Sequence, residues 1–163
     1  MSKKICITTL LVLLGVFAFA QAQPRAVLSK ADIDNFVKNY AAIDEVMSSL
    51  PSGDTDIKMD DNEDIVASVA KARSAKIPAD VSARLARLGL GNNAYEKCIV
   101  ISFGTTAVFT EEMFKAFAES GLDMNDGGSD FLKNIVAMKA AIHANDYNLI
   151  KSRMDDLLTV IQD

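Results

Sequence analysis

The sequence predicts an all-α protein, a single-domain bundle of about six helices around one long central apolar helix. Three observations carry that prediction. Apolar residues recur at three- and four-residue steps in one segment after another. Pro and most of the Gly fall between or at the ends of those segments. The stretch Asn93–Ser120 holds four of the eight Phe residues and is apolar nearly all round, as a helix buried on every side must be.

Residues 1–22 read as a secretory signal peptide. Lys3 and Lys4 form a charged start, and Ile5 to Phe19 is the apolar core. Ala18-Phe19-Ala20 and Ala20-Gln21-Ala22 both fit the small-x-small cleavage rule, with cleavage after Ala22 preferred and after Ala20 the alternative. The apolar core is short for a membrane span and no stop-transfer segment follows it, so no transmembrane segment is expected after cleavage. The expected location is exported, periplasmic or secreted.

Residues 23–163 form the expected helical bundle domain. Its 141 residues suffice for one hydrophobic core. Without Lys3 and Lys4 the net charge moves from −5 to −7. That balance argues against nucleic acid and anionic lipid as main partners. Cys98 is the one cysteine left, so no internal disulfide is possible and packing must hold the fold.

Taken in order, Gln23 to Leu28 is a leader. The first helix spans about 30–50, capped by Ser29 with Asp32 in its first turn. Ile33, Phe36, Val37, Tyr40, Ile43, Met47 and Leu50 form its apolar face, and Pro51-Ser52-Gly53 ends it. The second spans about 60–75 with Ile65, Val66 and Val69 inward. Pro78 opens the third, whose stripe is Val81, Leu85 and Leu88 and whose end is marked by Gly89 and Gly91. The fifth spans about 130–144 behind a Ser129 cap, and the sixth about 147–161. Asn145-Asp146 is the expected tight turn of that antiparallel hairpin.

The central stretch allows two readings. As a helix, Tyr95, Ile99, Phe103, Thr106, Phe109, Met113 and Phe117 form one stripe, Asn93 with Glu96 forms a capping box, and Gly121 is the stop. Gly104 is then an irregularity costing about 1 kcal/mol relative to Ala. As a strand, Cys98 to Phe103 is a buried run favoured by β-branched Ile99, Val100 and Ile101. The string Val100-Ile101-Ser102-Phe103-Gly104-Thr105-Thr106 resembles the first strand and turn of the anaerobic-type cobalt chelatases over those seven residues. A strand needs partners and no other segment reads as one, so the helix is preferred.

Few residues suggest chemistry. The acidic run Asp54, Asp56, Asp60, Asp61, Glu63 and Asp64 invites calcium, but its spacing puts Met59 and Ile65 where an EF-hand loop needs Gly and Glu. Asp123, Asn125, Asp126, Gly127, Gly128 and Asp130 place Gly correctly, yet Asn134 replaces the closing Glu. Negative charge at a helix N-terminus accounts for the first, and a solvated interhelix turn with a Ser129 cap for the second. No metal site and no cofactor are predicted. Lys71, Arg73, Lys76, Arg84 and Arg87 read as the exposed side of two short helices. Cys98 and His143 could form a nucleophile and base only if the fold brought them together; Cys98 reads as a buried thiol, and His143 as sitting near a helix C-terminus. No catalytic residue and no enzyme activity are predicted.

The opening Leu28-Ser29-Lys30-Ala31-Asp32-Ile33-Asp34-Asn35-Phe36, the long central helix and the C-terminal hairpin give the chain a layout. In pattern it resembles a loose group of small uncharacterised exported all-helical proteins of the bacterial envelope. The resemblance implies fold and location and carries over no functional residue.

The expected function is therefore non-catalytic binding of a partner protein or envelope component through a helix face or groove. The alternative is a carrier whose ligand-binding residues Phe103, Phe109, Met113, Phe114 and Phe117, with Met138 and Met154, line a cavity for a small apolar molecule. Against the alternative stands the close packing usual in interiors, which makes the same residues core.

Overall fold

A computed structural model describes residues 24–50, 65–120 and 128–162. Among them the chain forms eight α-helices, one π-helical turn and no strand. The helices are α1 Lys30–Lys38, α2 Tyr40–Ser48, α3 Ile65–Arg73, α4 Ala79–Leu85, α5 Ala94–Glu119, α6 Gly128–Ala140, α7 Ala144–Lys151 and α8 Met154–Gln162. The π-turn Ala86–Leu90 continues α4. The predicted signal peptide and the acidic run 54–64 lie outside the described residues, as does the whole of 121–127.

Six predicted segments become eight because two of them are interrupted by polar residues. Asn39 divides the first. Its side-chain amide donates to the Asn35 carbonyl at 3.1 Å and to the Leu88 carbonyl at 2.9 Å, and its φ of −113° leaves the helical well. Ser152 divides the last, with its hydroxyl donating back to the Leu149 carbonyl at 2.7 Å. Hydroxyl and amide side chains compete in this way with the backbone ladder.

Ser29 caps α1 as expected. Asp32 N–H donates to the Ser29 hydroxyl, and the Asp32 carboxylate accepts the Ser29 N–H at 2.8 Å, which completes a capping box. Such a cap is worth about 1 kcal/mol. Asn93 does not cap α5. It sits at φ 57°, ψ 30° without a side-chain cap bond, while Glu96 turns to Arg25 and Arg73. Ser129 lies inside the first turn of α6 rather than ahead of it. The hairpin turn also falls earlier than predicted, so Asn145 and Asp146 belong to the first turn of α7.

The π-turn ends α4 against α1. Gly89 has φ 94°, and the Gly91 N–H reaches back to the Ala86 carbonyl at 3.4 Å. The freed carbonyls are taken by side chains. Asn39 donates to Leu88, Asn35 to Gly89 at 2.9 Å and Lys97 to Leu90 at 2.8 Å. A Cβ at Gly89 would meet Asn35 at 2.7 Å, so both backbone and contact require glycine there.

Residues 98–103 are helical, which settles the two readings of the central stretch. Through 26 residues α5 runs about 39 Å. Its burial is uneven: every buried residue of α5 falls between Ala94 and Val108. There α5 packs on α1, α3, α4 and α7, with Ile33, Phe36, Leu85, Leu90, Ile101 and Ile150 among the fully enclosed side chains. Phe109 and everything after it is at least partly exposed. The expectation that the Asn93–Ser120 helix is the most buried one rests on its first half, Ala94 to Val108, since its second half is not enclosed.

Candidate functional site

The middle of α5, where its burial ends, borders an apolar groove. Tyr40 of α2, Ser102, Thr105, Thr106 and Phe109 of α5, and Leu158 and Ile161 of α8 line about 330 Å³. The groove exists because α1 packs against α8 and α5, while α2 turns away at Asn39 toward α4. The Thr105 hydroxyl donates to the Ile101 carbonyl at 2.8 Å, and that of Thr106 to the Ser102 carbonyl at 3.2 Å. These hydroxyls are spent on their own helix. Phe109 is 45% exposed and Ile161 38%, so two large apolar side chains flank one opening. Apolar surface gathered in this way marks an interaction site more often than the same residues scattered singly.

The five predicted ligand-binding residues do not surround one cavity. Phe103 is buried at 5% exposure, in the core with Met138. Phe109 is half exposed at the groove and not enclosed in the core. Met113 and Phe114 are half-buried, and Phe117 is 41% exposed. The stripe is real as a helix face, but the neighbours that cover its first half do not extend over its second.

A larger cleft of about 710 Å³ lies on another side, between α5 and the α6–α7 hairpin. Its polar centre is Glu111, which the sequence did not single out. Lys115 approaches Glu111 at 2.8 Å and Lys139 at 2.7 Å, and the Tyr147 hydroxyl donates to it at 2.5 Å. Burial alone raises a carboxyl pKa, but the hydrogen bonds from Lys115, Lys139 and Tyr147 outweigh it and hold Glu111 down to about 2. Burial and the same carboxylate push the Tyr147 phenol upward. Lys139 stands 4.9 Å over the Tyr147 ring, and Lys151 pairs with Glu112 at 2.6 Å. The i,i+4 pair Glu111–Lys115 was the available sequence signal. Lys139 and Lys151 reach it only through the fold.

A third opening of about 370 Å³ involves Pro24, Arg25, Arg73, Glu96 and Ala141. Arg73 is thereby removed from the predicted basic patch. Its guanidinium donates to Glu96 at 2.9 and 3.2 Å and to the Arg25 carbonyl at 3.1 Å. Arg25 meets the other Glu96 oxygen at 2.6 Å. Lys71, Lys76, Arg84 and Arg87 stay exposed, and Arg84 lies 3.6 Å from Glu45.

Asp146 is the most enclosed charged residue among those described, at 1% exposure. Its carboxylate accepts the Val27 N–H at 2.9 Å and the Leu28 N–H at 3.1 Å, which ties the segment before α1 to α7. A second enclosed pair, Lys97–Asp32 at 2.7 Å, ties α5 to α1. Burial works against ionised Asp32, but Lys97 and Ser29 bind it strongly enough to lower its pKa.

Cys98 is buried in α5, and burial pushes its thiol up to about 12. It does not line the cleft that His143 borders. His143 sits at the start of α7, not at a C-terminus: its Nδ1 accepts the Asn145 N–H at 3.1 Å and caps the helix. Among the described residues no helix is long and apolar enough to cross a membrane. No protein-family model, curated protein or solved structure matches the chain.

Proposed function

We propose that this is an exported, non-catalytic helical protein that binds a partner protein of the envelope through the groove between α2, α5 and α8. Export rests on the signal-peptide pattern of residues 1–22. The observation that carries the binding surface is the exposed pair Phe109 and Ile161 flanking one apolar groove. Its floor offers threonine methyls, since the hydroxyls are engaged, and an apolar helix face is the complement it suits.

Retention of envelope proteins on the immobilised mature chain tests this. Phe109→Asp and Ile161→Asp should each abolish retention of a band held by wild type, with the melting temperature unchanged. Wild-type protein that stays monomeric and holds nothing overturns the reading, as does retention indifferent to both substitutions.

A small apolar ligand in the same groove is the second reading. About 330 Å³ falls at the low end of ligand pockets. Native mass spectrometry of protein purified without detergent separates the two, because a co-purifying small molecule displaced by Phe109→Asp favours the carrier.

A further inference from the structure

The 710 Å³ cleft is separate from the groove and shares no residue with it. It combines apolar walls with a polar side made of hydrogen-bond donors. Val66, Ala140 and Ile142 contribute to the walls. Lys139 and Lys151 border the polar side. Each ammonium has three N–H groups, and the carboxylates Glu111 and Glu112 account for one at 2.7 Å and one at 2.6 Å. The His143 Nδ1 accepts from Asn145, so in the neutral ring the proton lies on Nε2, another donor. Among the described residues Glu111 is the acidic group on the lining, and Lys115, Lys139 and Tyr147 already occupy its oxygens. Among the described residues the ionised lining groups thus sum to one positive charge, on a chain whose net charge is −5.

We propose that this cleft is a binding site for a small monoanionic organic acid, its carboxylate held between Lys139 and Lys151 and its apolar body against Val66 and Ile142. A carboxylate supplies the acceptors that the donor-rich side lacks, and charge-assisted hydrogen bonds to ammonium groups are the stronger class. Glu111 holds Lys139 and Glu112 holds Lys151 in place before the ligand arrives, so less side-chain entropy is lost on binding. A single negative charge matches the single excess positive charge. A dianion would meet Glu111 without enough cation to offset it.

The test is a titration of the mature protein with hexanoate followed by amide NMR shifts, with hexanamide and inorganic phosphate as comparison probes. Saturable hexanoate shifts at the amides of 139–151 are expected, with hexanamide binding at least about ten-fold weaker, the factor set by about 1.4 kcal/mol. Phosphate should bind more weakly than hexanoate, because it cannot use the walls. Lys151→Gln should weaken hexanoate by a similar factor, and Phe109→Asp should leave it unchanged. Lys151 is exposed on α7, so its replacement tests binding without threatening the fold. Lys139→Gln, at the other exposed lysine of the cleft, gives a second variant should Lys151→Gln unfold the chain, and should also weaken hexanoate. Equal binding of hexanoate and hexanamide overturns the proposal, as does binding indifferent to Lys151→Gln or the absence of saturable shifts. Phosphate binding as well as hexanoate overturns the organic part of it. None of these results bears on partner retention by the groove, which Phe109→Asp tests separately.

Discussion

The Ile150 Cδ1 methyl lies 2.3 Å from the point that a Cβ on Gly104 would occupy. Gly104 is therefore the notch through which α7 closes on α5. The Ile142 Cδ1 lies 3.4 Å from the same point, and Ile150 is fully enclosed, so the methyl has little room to move. Gly104→Ala gains about 1 kcal/mol of helix propensity and loses about 1–3 kcal/mol to overpacking. A net loss of about 1 kcal/mol is expected by urea denaturation. Ile150→Val should cost about 0.5–1.5 kcal/mol alone. The double variant should be at least about 1 kcal/mol more stable than the two losses added together, because the clashing methyl is gone. Strict additivity would show that the notch does not matter.

Phe103 and Phe109 should separate under alanine replacement. Phe103→Ala removes an enclosed ring and should cost about 3–5 kcal/mol, a large part of the roughly 5–15 kcal/mol available to a domain. Phe109→Ala removes a ring that is 45% exposed and should cost less than about 1 kcal/mol. Thermal melts of the two variants check this. Equal losses would place Phe109 in the core.

Asp146 should prove the anchor of the segment before α1. Asp146→Ala leaves the Val27 and Leu28 amides without their acceptor, and an unpaired buried donor costs about 1–3 kcal/mol. Asp146→Asn keeps one acceptor oxygen and should lose less. Limited proteolysis should cut the Ala variant between residues 24 and 29 well before wild type. Identical digestion patterns would reassign the tether to the Arg25–Glu96 pair.

The Glu111 cluster should give an acid-side dependence. Glu111 is held at about 2 in the folded chain, below its ordinary 4.5. The unfolded chain therefore takes up the proton first as pH falls. The resulting stability is fully present above about 4.5 and is lost progressively as pH drops toward about 2. Asp32, also lowered, contributes in the same direction. The melting temperature of Glu111→Gln should fall less over that window than that of wild type, so the two curves converge. Parallel curves would mean that Glu111 titrates normally.

Cys98 should resist thiol reagents in the native state. Its thiol is enclosed and pushed up to about 12, so the reactive thiolate is negligible at neutral pH. Labelling should proceed at the rate of unfolding and accelerate with denaturant. Rapid native labelling would place the thiol at an opening.

The helices were legible from the sequence because apolar spacing is local information. Ile33, Phe36 and Ile43 repeat at helical steps whatever the rest of the chain does, and all three are core, whereas the predicted face places Met47 where Val46 is the enclosed residue. The Ser29–Asp32 box was legible for the same reason, since both partners lie within one turn. The failure of the expected box at Asn93 was not, because Glu96 finds two arginines 71 and 23 residues away.

The sequence by itself determined the all-α class, the long central helix and the apolar faces that hold the bundle. Each follows from 3.6-residue periodicity and from breakers placed between the segments. Only the tertiary structure decided which apolar residues are covered. Phe103 and Phe109 lie on one stripe with the same side chain, yet neighbours pack over the first and leave the second at the mouth of a groove. It also decided that Glu111 gathers Lys139, Tyr147 and Lys151, and that Asp146 holds Val27 and Leu28. Those partners are 28 to 119 residues distant along the chain. Burial and ion pairing depend on which segments meet, and a pattern read one helix at a time carries no record of that meeting.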